Sequence, residues 1–375
     1  MRVAVVGAGP AGAMTAYHLA RDGAEVLVFD ASHPREKPCG GGVTAKALDL
    51  LPPAPAQDPL PARWVSSCRF ESGQGDAVDV PLARPVAVAA RRELDAWLLR
   101  RAVTAGARHV AERVVGVEPG PALRTSGGRH AGFDAIVGAD GAGSLVRRTF
   151  LAATPPARLT VAAGWFAAGS SPMLVRFVPG LAGYLWLFPR PSHVGVGICA
   201  PLAAAPTRQL LGRLEREVQR SFPALAPDPD AGRYAHTIPS PSADPRSILE
   251  IAGDRWALVG DAAALADPIT GEGIHYALHS AGLLAETLRE TGSLASYPQR
   301  VLEAFGRELL KAAALRDRFY APEFSRRMVR FSARSTAIRD ILANLVLGEQ
   351  GYLGLKHRLL RALPSFAWQA ATGYP

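Results

Sequence analysis

The chain of 375 residues is poor in cysteine, with Cys39, Cys68 and Cys199 alone. Their number is odd, and neither C-x-x-C spacing nor neighbouring histidines accompany them, which argues against a disulfide framework and against zinc. No metal is expected. No stretch reaches the roughly 18 consecutive apolar residues of a membrane-spanning helix. The N-terminus passes directly into an apolar strand, without the basic segment, hydrophobic core and cleavage site of a secretory signal, so a cytoplasmic location is expected. There is no internal repeat and no G-x-S-x-G turn to support hydrolysis by a serine nucleophile. Despite a formal net charge of +9, no aromatic-basic module of the kinds that read nucleic acid is present, and no nucleic-acid partner is expected. Aromatic residues make up only 7% of the chain, so three of them alternating within five positions carry weight.

Hydrophobic residues are not scarce. At 48% they suffice for a large core divided into two or three lobes. The apolar run Arg2-Val-Ala-Val-Val6 leads into Gly7-Ala-Gly-Pro-Ala-Gly12, a helical stretch that closes at Gly23, and a second strand, Glu25-Val-Leu-Val-Phe-Asp30. This is a βαβ dinucleotide unit. Gly7 permits the tight turn, Gly9 lets the backbone approach a pyrophosphate, and Gly12, after Ala11, lets helix and strand pack closely. Asp30, eighteen residues beyond Gly12, is placed to accept from ribose hydroxyls.

Two downstream segments choose the nucleotide. Asp134-Ala-Ile-Val-Gly-Ala-Asp-Gly141 is a short strand ending at Asp140-Gly141. Trp256-Ala-Leu-Val-Gly-Asp-Ala-Ala263 ends at Gly260-Asp261 and is followed by Asp267-Pro-Ile-Thr-Gly-Glu-Gly-Ile274 and a helical run to about Arg289. The set resembles flavoproteins of the p-hydroxybenzoate hydroxylase type. In these, such an aspartate holds the ribityl or pyrophosphate portion of FAD, and the glycine-rich turn, here Gly271, Gly273 and Ile274, brings a positive helix end to the flavin.

The motifs Lys37-Pro-Cys-Gly-Gly-Gly-Val43 and Tyr184-Leu-Trp-Leu-Phe-Pro189 resemble hallmarks of the geranylgeranyl reductase family. The resemblance implies that Cys39, Gly40 and Gly42 pass over the flavin and that Tyr184, Trp186 and Phe188 line a cavity for an isoprenoid chain. It extends to Arg91, to Val114 at the adenine end, and to Gly351-Tyr-Leu-Gly354 near the C-terminus. One departure stands out. The family carries a proline three residues before the tyrosine, where this chain has Leu181.

The fold expected is an α/β composite: a Rossmann-type FAD-binding domain, an antiparallel β-sheet substrate domain and a C-terminal helical segment. The flavin domain is assigned to residues 1–50, 85–150 and 250–320, the substrate domain to 51–84 and 151–249, and the helical segment to 321–375. The activity implied is FAD-dependent saturation of isoprenoid double bonds in a prenylated lipid, a quinone tail or a prenyl diphosphate. Electrons would come from NAD(P)H, a ferredoxin or a reduced quinone. Two alternatives stand beside it: a flavin-dependent monooxygenase or halogenase of the same fold, and a lipid-binding protein that keeps FAD only as structure.

Strand alternation puts Tyr184, Trp186 and Phe188 on one face and Leu185 and Leu187 on the other. An aromatic face serves either as core or as a wall that stabilises positive charge on a substrate carbon. Cys39 has two readings, a proton donor or a packing group. Glu272 and His275 either feed protons or cap a helix. Residues 301–375 carry twelve Lys and Arg against six acids, interleaved with apolar residues such as Met328, Ile338, Leu342 and Leu355. Such helices either pack on the flavin domain or lie against an anionic membrane.

Overall fold

The computed structural model describes residues 1–225, 227, 232–349 and 351–362. The last part of the expected C-terminal segment, 363–375, lies outside the described residues. Valine-rich runs suit a sheet covered on both faces, and Arg2–Val6, Glu25–Phe29, Arg108–Val110, Ala135–Gly138 and Trp256–Leu258 form one. Its spatial order is 256, 135, 2, 25, 108 by first residue, with every join parallel. Helices Pro10–Arg21, Arg91–Thr104 and Ile274–Thr291 pack on one another through Met14, Trp97, Leu98 and Leu278.

The second sheet has eight strands, in the order Tyr234–Pro239, Leu159–Ala167, Val194–Pro201, Tyr184–Pro189, Leu174–Phe177, Ala62–Glu71, Ala77–Ala89 and Gly42–Val43. It is antiparallel at every join but one. Leu174–Phe177 runs parallel to Ala62–Glu71: the antiparallel strands drawn from residues 159–239 and the antiparallel ribbon drawn from 42–43 and 62–89 meet edge to edge there. Strand Ala77–Ala89 runs through residue 85, and Gly42–Val43 pairs with it, so the boundaries expected near 50 and 85 fall within or beside one continuous sheet.

Helix Thr207–Ser221 covers the outer face. Its Leu210, Leu214 and Val218 are buried against Leu185, Leu187, Val196 and Ile198, a burial that stabilises by about 1.5–3 kcal/mol per side chain. The C-terminal helices Pro322–Ser332 and Thr336–Val346 bury Met328, Val329, Ile338 and Leu342 against Phe70, Val80 and Val175. They pack on the large sheet and also against Ile269, Ala312 and Phe319 of the segment assigned to the flavin domain. Among the described residues no helix is long and apolar enough to cross a membrane.

Candidate functional site

A cavity of about 600 Å³ runs between the two sheets, polar at one end and apolar at the other. At the polar end, Gly7 adopts a left-handed conformation (φ +98°), and a β-carbon there would lie 2.4 Å from the Ala139 carbonyl oxygen. A β-carbon at Gly12 would lie 1.9 Å from the Gly7 oxygen. Both positions are closed by the protein's own backbone. Gly9 is different, because its β-carbon would meet only side-chain tips, the nearest being Arg35 Nη2 at 3.7 Å. Room over Gly9 is therefore free for a ligand. Helix Pro10–Arg21 begins here and helix Ile274–Thr291 begins across the cavity at Gly273, and among the described residues no side chain caps either N-terminus. Two uncapped helix ends with Ala11 and Ile274 in the wall suit negatively charged groups.

The Asp30 carboxylate accepts from Ala8 N (2.9 Å) and Ser32 N (2.8 Å). Burial acts to raise this group, but the hydrogen bonds from Ser32 and Ala8 outweigh it and hold it below the ordinary carboxylate range. Arg91 is buried and forms a two-pronged ion pair with Asp95, at 2.7 and 2.8 Å. Val114 lines the same end beside Glu112 and Arg113. Asp140 turns its carboxylate onto Leu145 N (2.6 Å) and Val146 N (3.2 Å), so it caps the next helix while its turn lines the cavity. Asp261 is ion-paired with Lys37 at 2.7 Å. Burial would raise its carboxyl, and Lys37, helped by His236 and Arg91, overrides burial and holds it low.

The middle of the cavity is formed by the Cys39–Gly42 loop and by the turn from Asp267 to Gly271. Cys39 Sγ accepts from Gly41 N at 3.3 Å. A β-carbon at Gly40 would lie 2.6 Å from the Phe188 ring, one at Gly42 3.2 Å from it, and one at Gly41 2.1 Å from the Ala89 oxygen. Protein atoms therefore fill the space over these glycines. Phe188 lines the cavity beneath this loop, and Tyr184 and Trp186 line it together with Cys68, Met173, Phe177 and Tyr320 toward the apolar end. The Trp186 indole lies across Gly197 of the neighbouring strand. Glu272 does not cap helix Ile274–Thr291: its carboxylate accepts from Thr44 Oγ1 (2.7 Å) and pairs with Lys46 (2.8 Å). His275 is buried, and burial pushes its pKa down to about 2, so it is neutral.

Several participants carried no motif of their own. Arg190 is fully buried and joins three elements: it donates to the Cys39 carbonyl (2.6 Å), pairs with Glu36 (2.9 Å) and lies over the Phe166 ring. Its position directly after the Phe188-Pro189 motif was the available signal. Glu36 in turn accepts from Arg91 N and Arg92 N at 3.1 Å, capping that helix. His236 lines the polar end, and burial, with Lys37 nearby, lowers its pKa to about 4. Its Nε2 and the Trp186 Nε1 are buried without a hydrogen-bond partner among the described residues.

These residues fit FAD. Gly9 is open, two helix ends face the cavity, and two ring nitrogens on its wall await partners. Gly9, Ala11, Asp30, Arg91 and Val114 would hold the nucleotide portion, with Asp261, Gly271, Gly273 and Ile274 toward the flavin portion. The family model for FAD dependent oxidoreductases matches residues 2–69. The chain is 31% identical to a menaquinone reductase of Mycobacterium tuberculosis, over 92% of this chain and 91% of the relative. It is 30% identical to digeranylgeranylglycerophospholipid reductase 2 of Methanopyrus kandleri, over 93% of each. The crystal structure of a geranylgeranyl bacteriochlorophyll reductase-like protein from Thermoplasma acidophilum shares the fold, with a TM-score of 0.78, 22% identity and coverage of 96% of this chain and 98% of that one. With the cradle, the apolar chamber and these relatives in agreement, the chain belongs to the geranylgeranyl reductase family of FAD-dependent oxidoreductases.

Proposed function

We propose that the enzyme saturates carbon–carbon double bonds of an isoprenoid chain carried by a quinone or a lipid. One observation carries this reading: the Tyr184 and Trp186 rings wall the apolar end of the very cavity whose other end is the nucleotide cradle. Bound in the cradle, FAD supplies the hydride for such a reduction. The chain's own residues do the rest. The apolar lining excludes water and buries the substrate chain, and the aromatic faces stabilise positive charge on the more substituted carbon by about 1–2 kcal/mol each. Cys39, in the wall between the two ends, is the proposed donor of the proton that completes the reduction.

The test is anaerobic incubation of the reduced enzyme with a prenylated quinone in deuterated water, read by mass spectrometry. After the quinone ring is reoxidised, the expected product has gained two hydrogens on carbons of the isoprenoid chain, both as deuterium because N–H and S–H hydrogens exchange with solvent. A gain that disappears on reoxidation is reduction of the ring and overturns the reading. A strict need for oxygen, with oxygen or halogen in the product, overturns the reading in favour of a monooxygenase or halogenase. Trp186→Leu should lower turnover more than substrate binding, as for an interaction made chiefly in the transition state. Cys39→Ser should slow the protonation step, and an unchanged rate would leave the thiol a packing group.

Transient docking of an electron donor and peripheral membrane contact complete the proposal. The apolar stripe of the C-terminal helices is buried in the protein's own core, so contact with an anionic bilayer falls to exposed Arg326, Arg327, Arg330, Arg334, Lys356 and Arg361. Binding to anionic vesicles should then fade as salt rises above about 0.15 M. Absence of vesicle binding at low salt would remove it.

A further inference from the structure

The turn from Asp267 to Gly271 forms the wall where the polar and apolar ends of the cavity meet, and it leads into helix Ile274–Thr291. Asp267 organises it from within. Its Oδ1 accepts from Ile269 N (2.7 Å) and Thr270 N (2.9 Å), and its carbonyl accepts from Gly271 N (3.0 Å), where the backbone turns left-handed at φ +68°.

Three tyrosine hydroxyls hold the same turn from outside. Tyr184 donates to the Thr270 carbonyl, Tyr320 donates to the Ile269 carbonyl at 2.5 Å, and Tyr352 donates to the Asp267 carboxylate, 2.9 and 3.0 Å from its oxygens. Tyr184 belongs to the large sheet. Tyr320 ends helix Arg307–Phe319, and Tyr352 lies beyond Thr336–Val346, where Glu308 accepts from Tyr352 N and from Leu353 N (2.9 Å). Tyr320 and Tyr352 are both buried. Phenylalanine would fill these positions without the penalty of burying a hydroxyl, so each phenol is explained by what its oxygen holds.

We propose that Tyr320 and Tyr352 are positioning residues for the flavin, and that the C-terminal segment completes the cofactor site by fixing the Asp267–Gly271 turn. This rests on FAD occupying the cavity and is independent of the substrate. A turn tied at three points cannot drift, so the backbone and helix end presented to the cofactor keep one geometry, and their effect on the bound flavin is set by residues that lie 50 or more positions further along the chain.

The test uses the full chain with Tyr352→Phe and, separately, Tyr320→Phe. FAD affinity is measured by titration of the apoprotein, together with the visible spectrum and the midpoint potential of the bound flavin. Each variant should bind FAD about tenfold more weakly, the equivalent of one buried hydrogen bond, with shifted flavin absorption and potential. Phe324→Leu is the control. It loosens the same segment beside Phe319 without removing a hydroxyl from the turn, and it should lower the melting temperature while leaving spectrum and potential in place. Affinity within twofold of the parent with superimposable spectra would overturn the proposal, as would a control that moves the flavin as far as Tyr352→Phe does. Should Tyr352→Phe not fold, Tyr320→Phe decides by the same readings.

Discussion

Two glycine-rich loops face the cavity, and they use glycine for different reasons. In the loop of residues 7–12, Gly7 and Gly12 are demanded by backbone atoms of the protein, whereas the space above Gly9 is open. In the loop of residues 39–42, Gly40 and Gly41 are demanded by the protein itself, through the Phe188 ring and the Ala89 carbonyl, and Gly42 lies close under the same ring. Glycine thus reports crowding without naming the occupant. Only a position that is crowded by nothing in the chain points to a ligand, and Gly9 is that position in the first loop.

The contrast can be broken by substitution. The largest effect belongs to Gly12→Ala, since the Gly7 carbonyl oxygen, 1.9 Å from a new methyl, belongs to backbone that cannot move cheaply. A loss of more than about 4 kcal/mol, and no folded protein that retains FAD, is expected by circular dichroism and flavin absorbance. Gly9→Ala comes next and should separate folding from binding. Its apoprotein should melt within a few degrees of the parent, while FAD affinity falls by about a hundredfold, ~2.7 kcal/mol; undiminished affinity would mean that the cofactor does not approach this backbone.

Gly40→Ala should cost about 1–3 kcal/mol of stability through the clash with Phe188. Combining it with Phe188→Leu should restore part of that loss, leaving the pair non-additive by about 1 kcal/mol in denaturant unfolding. Strict additivity would show that something other than Phe188 makes Gly40 necessary.

The smallest effect concerns charge. Carboxylates around the polar end are paired, but His275 behind it is neutral and buried. Its folded pKa, about 2, lies below the ordinary value near 6.5, so the unfolded chain binds more protons between these limits. Stability is therefore fully present above pH 6.5 and falls as the pH drops through this window, by ~1 kcal/mol at pH 5.5. Unfolding at pH 7.5 and 5.5 should show at least this difference, and His275→Asn should remove the His275 share while leaving that of His236, whose pKa is likewise lowered, to about 4.

Legibility follows the same division. The βαβ unit could be read because its glycines, strand and acid lie within thirty contiguous residues, each with a local physical reason. The aromatic strand could be read from its period of two, and the structure puts Leu185 and Leu187 under the covering helix as that period requires. What could not be read is pairing across distance. Tyr352 meets Asp267 over 85 positions and Arg190 meets Glu36 over 154, and no local pattern encodes either contact. The packing of Phe188 against Gly40 and Gly42 could not be read for a related reason, since a strand pattern gives the face of a side chain and not the loop that comes to rest on it.

The distances along the chain between Gly9, Asp261 and Tyr352 also set an order of events during synthesis. A ribosome-bound chain that has emerged only as far as the aromatic strand owns Tyr184 and Trp186 of the chamber wall but neither the edge strand Trp256–Leu258 nor Tyr320 and Tyr352, which help close the turn. Until Tyr320 and Tyr352 have emerged, that wall lacks the segments that close it and is a target for chaperones or for aggregation. Contacts of such long range also make folding slow. Free FAD, whose cradle draws on residues from Gly9 to Ile274, then draws the population toward the native state by mass action, so the yield of folded enzyme should depend on the flavin supply of the cell that makes it.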